Sequence, residues 1–190
     1  MESVTRIAYT DPLTGVKSKH AFKEAEKRMD QRIAQGAVSE FGVVVFDLND
    51  LKQINDTLGH AIGDEYIRDA GKLICTCFKH SPAYRVGGDE FIAVLEGTDY
   101  TNRAALLEDF EKQILENMER GRAVVAFGCA SFDLVKDAGL RAVCERADAA
   151  MYKEKKLIKS VPAAGGNGEA DRAEAGGERT TRSPRRASAS

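Results

Sequence analysis

Apolar residues recur along this chain at two different spacings, and the spacings predict helices and strands in a definite order. Segments with an apolar residue at every third or fourth position are typical of helices that bury one face. Such segments begin at Phe22, Ile62, Leu106 and Leu140. Shorter continuous apolar runs predict strands near residues 41–47, 82–86, 91–96 and 123–132. After the first helix the order is strand, helix, hairpin, helix, strand, helix, which indicates a βαββαβ core with extra helices in the α/β (α+β) class.

The hairpin between the second and third predicted strands contains Arg-Val-Gly-Gly-Asp-Glu-Phe at residues 85–91. Paired glycines between two strands predict a tight turn with positive φ or a close approach to a bulky group. The adjacent carboxylates of Asp89 and Glu90 repel each other and are dispensable for folding, so they indicate a bound cation. The bare turn at Gly87 and Gly88 would suit a nucleoside triphosphate, although a merely solvated turn is the alternative.

A second acidic element follows the first predicted strand. Residues 41–46 form a continuous apolar run, which is typical of a strand covered on both faces. Strand alternation places Asp47 and Asn49 on one face and Leu48 on the other. A carboxylate at the end of a buried strand needs a partner, because an uncompensated buried charge is costly. Asp47 beside Asp89 would make an all-oxygen site suited to Mg²⁺ shared with phosphates.

Further motifs accompany these two elements, and the whole set resembles the GGDEF domain, the catalytic module of diguanylate cyclases. The set comprises residues 11–15, residues 46–56, residues 58–64, the hairpin signature and residues 147–155. The similarity covers residues 11–160 and implies a ferredoxin-like palm with a mostly antiparallel central sheet. It also implies condensation of two GTP molecules into cyclic di-GMP with release of pyrophosphate. The family performs this reaction as a transient dimer in which each domain presents one GTP.

The resemblance also assigns catalytic and metal-binding roles to individual positions. Asp47, Asp89 and the backbone carbonyl of Leu48 correspond to the ligands of Mg²⁺, or of Mn²⁺ in its place. Either Asp89 or Glu90 activates the attacking 3′-hydroxyl, and the sequence does not separate the two. Lys52 is expected to reach phosphate or the charge that develops in the transition state.

Substrate recognition is assigned in the same way. Asn55 and Asp64 map onto the guanine-recognising positions, where Asp64 would accept from the guanine N1–H and 2-amino groups and so disfavour ATP. His60 matches a histidine near that pocket, with a capping or packing role as the alternative. Lys155 corresponds to a phosphate-binding lysine, and Lys159 replaces a usual arginine, which keeps the charge but loses bidentate geometry. The predicted substrate-binding residues are Asn55, His60, Asp64, Gly87, Gly88, Lys155 and Lys159.

Several positions depart from the family pattern. Residues 78–81, Phe-Lys-His-Ser, occupy the place where many members carry an Arg-x-x-Asp product-inhibition site. We therefore predict no feedback inhibition through that site. Asn49 and Leu51 replace the usual aspartate and phenylalanine, and only mild effects are expected because neither is a predicted metal ligand. Asp11 followed by Pro12 predicts a structural helix N-cap with proline at the first helical position.

The two ends of the chain carry separate expectations. Residues 1–10 are interpreted as the stub of a linker helix from an upstream sensory or regulatory domain, with a standalone protein beginning at Met1 as the alternative. Residues 161–190 contain no large apolar residue after Val161, so we predict a disordered tail. Its arginine-rich end could touch an acidic partner, but neighbouring acidic residues favour an inert tail.

Composition and net charge limit the kinds of molecule that the chain is expected to bind. A net charge of −2 gives no sign of nucleic-acid or membrane binding. The chain has no apolar run of about 18 residues and no signal-peptide pattern, so a soluble, cytoplasmic protein is predicted. The 4 cysteines lack Cys-x-x-Cys spacing and are interpreted as structural thiols.

Three functions remain in competition at this point. The first is an active, Mg²⁺-dependent diguanylate cyclase, which the intact set of predicted site residues favours. The second is a catalytically weak GTP-binding or protein-interaction module within a signalling protein. The third is a different nucleotidyl-transfer enzyme built on the same palm, which the full order of motifs disfavours.

Overall fold

The computed structural model describes residues 9–160, with the backbone alone at residues 154 and 156–160. The helices are α1 Lys19–Ala34, α2 Leu51–Leu58, α3 His60–Cys77, α4 Gly97–Thr101, α5 Arg103–Glu119 and α6 Leu140–Ser160. The strands are β1 Gly42–Leu48, β2 Ala83–Arg85, β3 Glu90–Leu95 and β4 Val125–Ser131. The predicted tail at residues 161–190 and most of the predicted linker stub, residues 1–8, lie outside the described residues.

The four strands form one sheet in the order β2-β3-β1-β4, and each neighbouring pair is antiparallel. This is the predicted βαββαβ core with an antiparallel sheet, and the fold prediction is confirmed. Since β3 lies between β2 and β1, the turn that joins β2 to β3 comes to the end of β1. The register places Asp47 opposite Glu90 across that junction.

Two apolar clusters cover the two faces of the sheet, and β1 contributes to both. Val44 and Phe46 point into the cluster formed with α3 and α5. Val43 and Val45, which alternate with them, point into the cluster formed with α1 and α6. All four side chains are buried, as the continuous apolar run predicted. Fully burying one such side chain stabilises the fold by about 1.5–3 kcal/mol. The strand β1 is therefore held firmly, and its end gives a fixed position to the residues that follow.

The predicted helix at Asp11 is wrong. The chain makes a single turn there, in which the amide of Gly15 donates to the carbonyl of Asp11 at 2.9 Å. Gly15 has φ +75°, which ends the turn. The backbone then pairs with the edge of the sheet through Lys17. Asp11 keeps a structural role, described below, without capping a helix.

Two short helices, α2 and α4, were not predicted, and two apolar residues predicted on buried helix faces are exposed. The helix α2 has only 8 residues and none of them is buried, although Leu51, Ile54 and Leu58 recur at helical spacing. Ile62 is 42% exposed and Met118 is 53% exposed, and both lie at an end of their helices. No helix within residues 9–160 is both long enough and apolar enough to span a bilayer.

Candidate active site

The end of β1 and the tip of the β2–β3 hairpin meet through backbone contacts. The amide of Leu48 donates to the carbonyl of Asp89 at 3.0 Å. Asp47 and Glu90 are cross-strand partners, and such partners have Cα atoms about 4.5–5.5 Å apart. The side chain of Leu48 is 2% exposed and packs into the core on the other face. The backbones of Asp47, Leu48 and Asp89 therefore lie together at one end of the sheet.

The two signature glycines differ in their surroundings. Neither has positive φ, so the first of the two explanations predicted for them is wrong. A Cβ atom at Gly87 would lie 2.5 Å from Oε2 of Glu90, so the close approach occurs here. At Gly88 the same atom would have no neighbour within 4 Å, which leaves open surface at the hairpin tip.

An ion pair that the sequence did not predict braces the hairpin. The guanidinium of Arg85 donates from Nη2 to the carbonyl of Gly88 at 2.7 Å. Its Nη1 donates to the carboxylate of Asp11 at 3.2 and 3.3 Å. Thr14 donates to the same carboxylate from its amide at 2.9 Å and its hydroxyl at 2.6 Å. Burial raises the pKa of Asp11, but the Thr14 hydrogen bonds and the charge of Arg85 outweigh it and leave that pKa below its usual range.

A cavity of about 270 Å³ opens beside this hairpin. Its lining residues are Leu51, Lys52, Asn55, Asp56, His60, Gly88 and Asp89. Five predicted site residues thus share one cavity, and Leu51 and Asp56 are additions from α2. The cavity joins α2 and the start of α3 to the hairpin tip, which lies much further along the chain.

The position of Asn55 depends on a glycine in the next helix. A Cβ atom at Gly63 would lie 1.9 Å from Oδ1 of Asn55, so only glycine admits the amide there. Gly59, with φ +89°, ends α2 and lets α3 begin at His60. Asp64 follows on the first turn of α3, where it is half-buried and does not line the cavity.

Asp47 is paired with a lysine from the last helix. Nζ of Lys155 donates to Oδ1 of Asp47, and both side chains are about three-quarters buried. The ammonium group occupies the place at this carboxylate that a metal ion would take, and the oxygen donors of Asp47, Asp89 and Leu48 are of the type that a hard divalent ion prefers. Residues 9–160 contain no group of three or more His, Cys, Asp or Glu placed to share a metal, so phosphate oxygens would have to complete the shell. The side chain of Lys159 lies outside the described residues.

Residues 78–81, which correspond to the family's product-inhibition site, lie partly in the core. Phe78 is 0% exposed, and its ring centroid lies 5.7 Å from those of Phe46 and Phe110. The amide of His80 donates to the buried carboxylate of Asp99 at 3.0 Å. This loop is therefore fixed by packing and by a backbone hydrogen bond.

Comparisons with known proteins identify the family. The family model described as diguanylate cyclase, GGDEF domain, matches residues 8–160. Diguanylate cyclase A of Treponema denticola is 30% identical over 154 residues, which cover 77% of this chain and 41% of that protein. The cyclic di-GMP phosphodiesterase PdeR of Escherichia coli is 29% identical over 158 residues, which cover 81% of this chain and 23% of PdeR. The chain therefore spans less than half the length of these two relatives.

A solved structure extends the similarity to the fold. The coiled coil and GGDEF domain of DgcB from Caulobacter crescentus, in complex with c-di-GMP, superposes with a TM-score of 0.70 at 29% identity. The match covers 82% of this chain and 85% of the DgcB chain. With the family model matching most of its length and the fold shared with DgcB, this chain belongs to the GGDEF family of diguanylate cyclase domains.

Proposed function

We propose that this chain condenses two GTP molecules into cyclic di-GMP and releases two pyrophosphates. The observation that carries the proposal is the cavity in which Lys52, Asn55, His60 and Asp89 meet beside the open face of Gly88. A cationic side chain, an amide and a carboxylate in one cleft match the phosphate, base and metal ends of a nucleotide. The family membership supports the same chemistry.

The chain offers several groups for the triphosphate. The amides at the start of α2 have no side-chain cap, because Asp50 makes no capping hydrogen bond. Uncapped amides at a helix N-terminus favour phosphate oxygens. Lys52 lies on that first turn and is exposed to the cavity. We assign Lys155 and Lys159 to the outer phosphates.

Base recognition falls to α2 and the start of α3. Asn55 is held by its contact with Gly63, and Asp64 is the carboxylate assigned to the guanine N1–H and 2-amino groups. Adenine would leave that carboxylate unmatched, so GTP is the proposed substrate. His60 lines the cavity and is proposed as a further contact.

The reaction forms two phosphodiester bonds. Each 3′-hydroxyl attacks the α-phosphorus of the other GTP, the bond to the β-phosphate oxygen breaks, and pyrophosphate leaves. Asp89 or Glu90 takes the hydroxyl proton. A Mg²⁺ or Mn²⁺ ion held by Asp47, Asp89 and the Leu48 carbonyl would supply charge neutralisation at the phosphates.

Two domains are required, because one cavity holds one GTP. We propose a transient homodimer whose two sites face each other, assembled under the control of an upstream sensory or regulatory domain. The isolated chain would then be a weak enzyme at low concentration.

The test is incubation of concentrated protein with GTP and Mg²⁺, followed by chromatography for cyclic di-GMP. Product formation should rise with about the square of the protein concentration while dimerisation is weak. Asp89→Ala should form none, and ATP should not replace GTP. GTP binding without product would refute turnover, and absence of GTP binding would refute the site.

A second candidate is a GTP-binding or protein-interaction module without efficient turnover. The observation that favours it is the similarity to PdeR, which is named as a cyclic di-GMP phosphodiesterase and yet shares this domain. Retention of binding together with loss of product in the same assay would select this function.

A further inference from the structure

Tyr66 on α3 makes a contact that leaves its own helix. Its phenol oxygen accepts a hydrogen bond from the amide of Val124 at 2.8 Å. Val124 directly precedes β4, so the bond ties α3 to the sheet. Tyr66 is half-buried and lies two residues after Asp64, the residue assigned to guanine.

The other side of Val124 is tied to the metal end of the site. The carbonyl of Val124 accepts from the amide of Asn49 at 3.0 Å. Asn49 follows Leu48, whose carbonyl is assigned to the metal and whose Cα pairs with Val125 in the sheet. Val124 is thus held by hydrogen bonds from the end of β1 on one side and from α3 on the other.

The hydrogen bonds of Val124 lie beside the turn between β1 and α2, which leads from the metal end of the site to the nucleotide cavity. Asp50 adopts φ 58°, a left-handed conformation that aspartate tolerates better than most residues but less readily than glycine. Leu48, whose carbonyl is assigned to the metal, precedes this turn. The helix α2, which lines the nucleotide cavity, follows it. The hydrogen bonds that Val124 makes with Tyr66 and with Asn49 place the phenol next to this turn.

We propose that Tyr66 is a positioning residue, which holds the guanine end of the site at a fixed distance from the metal and phosphate end. The inference rests on the proposed function, since it assumes that one nucleotide spans both ends. A ligand that spans two rigidly connected subsites gains affinity from their fixed separation. A ligand that occupies a single subsite gains nothing from it.

Tyr66→Phe in the full chain tests this, because it removes only the phenol oxygen. The spanning ligand is guanosine 5′-[α,β-methylene]triphosphate with Mg²⁺, which cannot release pyrophosphate, measured by calorimetry. The single-subsite ligands are guanosine, also measured by calorimetry, and Mn²⁺ alone, measured by electron paramagnetic resonance. We expect the variant to lose about five- to tenfold in affinity for the spanning ligand and less than about twofold for the other two.

Tyr84→Phe is the matched control. Tyr84 is 3% exposed on β2, and its phenol makes no hydrogen bond to the described part of the chain. All three affinities should stay unchanged in this variant. Thermal unfolding of each variant should be measured as well. A general loss of stability would lower the unfolding temperature but would leave the ratio of the affinities for the three ligands unaltered.

The possible results are distinct. Wild-type affinity of Tyr66→Phe for the spanning ligand would overturn the inference. An equal loss for guanosine would also overturn it, because Tyr66 would then serve the guanine pocket alone. If the unaltered chain bound neither guanosine nor the spanning ligand, the proposed function would fail and the inference with it.

Discussion

At Asp47, the proposed metal ion would compete with Lys155 for one carboxylate. In the structure Lys155 holds it, whereas in the proposed reaction a divalent ion takes its place. The lysine would then be free to contact the outer phosphates of GTP. Such an exchange keeps a partly buried carboxylate neutralised in both states, which avoids the cost of an unpaired charge.

Lys155→Met should therefore raise the affinity for Mn²⁺ in the absence of nucleotide, by about three- to tenfold, because it removes the competing ammonium group. The same variant should lower the rate of cyclic di-GMP formation, since a phosphate contact is lost. Electron paramagnetic resonance of free Mn²⁺ gives the first quantity and product chromatography the second.

Lys153→Met is the control, because Lys153 is exposed on the same helix two residues away. It should change neither quantity. Unchanged Mn²⁺ affinity in Lys155→Met would mean that the lysine does not compete with the metal.

At single residues, the sequence predicted which backbone segments meet, because short apolar runs define the end of β1 and the hairpin tip. The pairing of β1 with β3 brings the backbones of Asp47 and Asp89 to the same end of the sheet, and their shared metal site stays a prediction. Arg85 was missed as a brace, since its partner Asp11 lies 74 residues away and meets it only through the path of the first segment. The dependence of Asn55 on Gly63 was missed for a similar reason, because it arises from the close approach of two helices.

At the scale of elements, the loop between β4 and α6 is fixed by a buried carboxylate. The side chain of Asp137 is 1% exposed and accepts from Nε of Arg146 at 2.9 Å and from the amide of Asp133 at 2.8 Å. The Arg146 hydrogen bond holds the pKa of Asp137 below its usual range. The carboxylate therefore stabilises the fold above the ordinary aspartate pKa of about 4, and this contribution is lost as the pH falls through the lower folded-state pKa.

Asp137→Asn should lower the free energy of unfolding by about 2 kcal/mol near neutral pH, because Arg146 loses its partner in a partly buried site. The difference from the unaltered chain should shrink below about pH 4. Urea unfolding at several pH values measures it. Asp148→Asn on the exposed face of α6 should change little, and a pH-independent loss for Asp137→Asn would contradict the assigned cause.

The end of α3 carries the prediction about feedback. Phe78 is in the core, so restoring an arginine there would bury a guanidinium group and cost about 3 kcal/mol or more. Cyclic di-GMP should not inhibit through this loop. The turnover rate should depend on added cyclic di-GMP in the same way in the unaltered chain and in a variant with Lys79, His80 and Ser81 changed to alanine. Inhibition that disappears in the variant would prove the prediction wrong.

The longer helices and all the strands were predicted, and the short helices were not. All four strands agree with their predicted positions to within two residues. The helix α2 was missed because it has only 8 residues and none of them is buried, although Leu51, Ile54 and Leu58 recur at helical spacing. The turn at Asp11 imitates a helix start in sequence, and only the left-handed Gly15 reverses it.

At the scale of the molecule, the proposed reaction needs two copies. A fusion of the full chain to a short parallel dimeric coiled coil at its amino end should raise turnover per chain about 100-fold at low protein concentration, because linkage supplies an effective concentration of about 1 mM. The rate per chain in the fusion should no longer depend on concentration. Product chromatography over a dilution series measures both effects.

A fusion that carries Asp89→Ala is the matched control and should form no product. If the unfused chain turned over GTP at a rate per chain that is constant on dilution, one domain would suffice and the dimer proposal would fail.

The topology could be predicted because the order of elements and the antiparallel pairing leave few arrangements of four strands. The docking of the first segment could not. The amide of Lys17 donates to the carbonyl of Ala83 at 3.0 Å, and the amide of Arg85 donates to the carbonyl of Lys17 at 2.8 Å. No apolar pattern in residues 9–18 announces this attachment to β2.

That attachment has a consequence for handling the protein at high concentration. An uncovered sheet edge invites strands of other molecules to add to it, which leads to aggregation. Here β2 has only 3 residues, and the backbone of Lys17 already occupies its outer hydrogen-bonding groups. At high concentration, molecules can therefore meet without adding strands to the sheet edge beside the signature hairpin. The proposed reaction between two molecules requires such encounters.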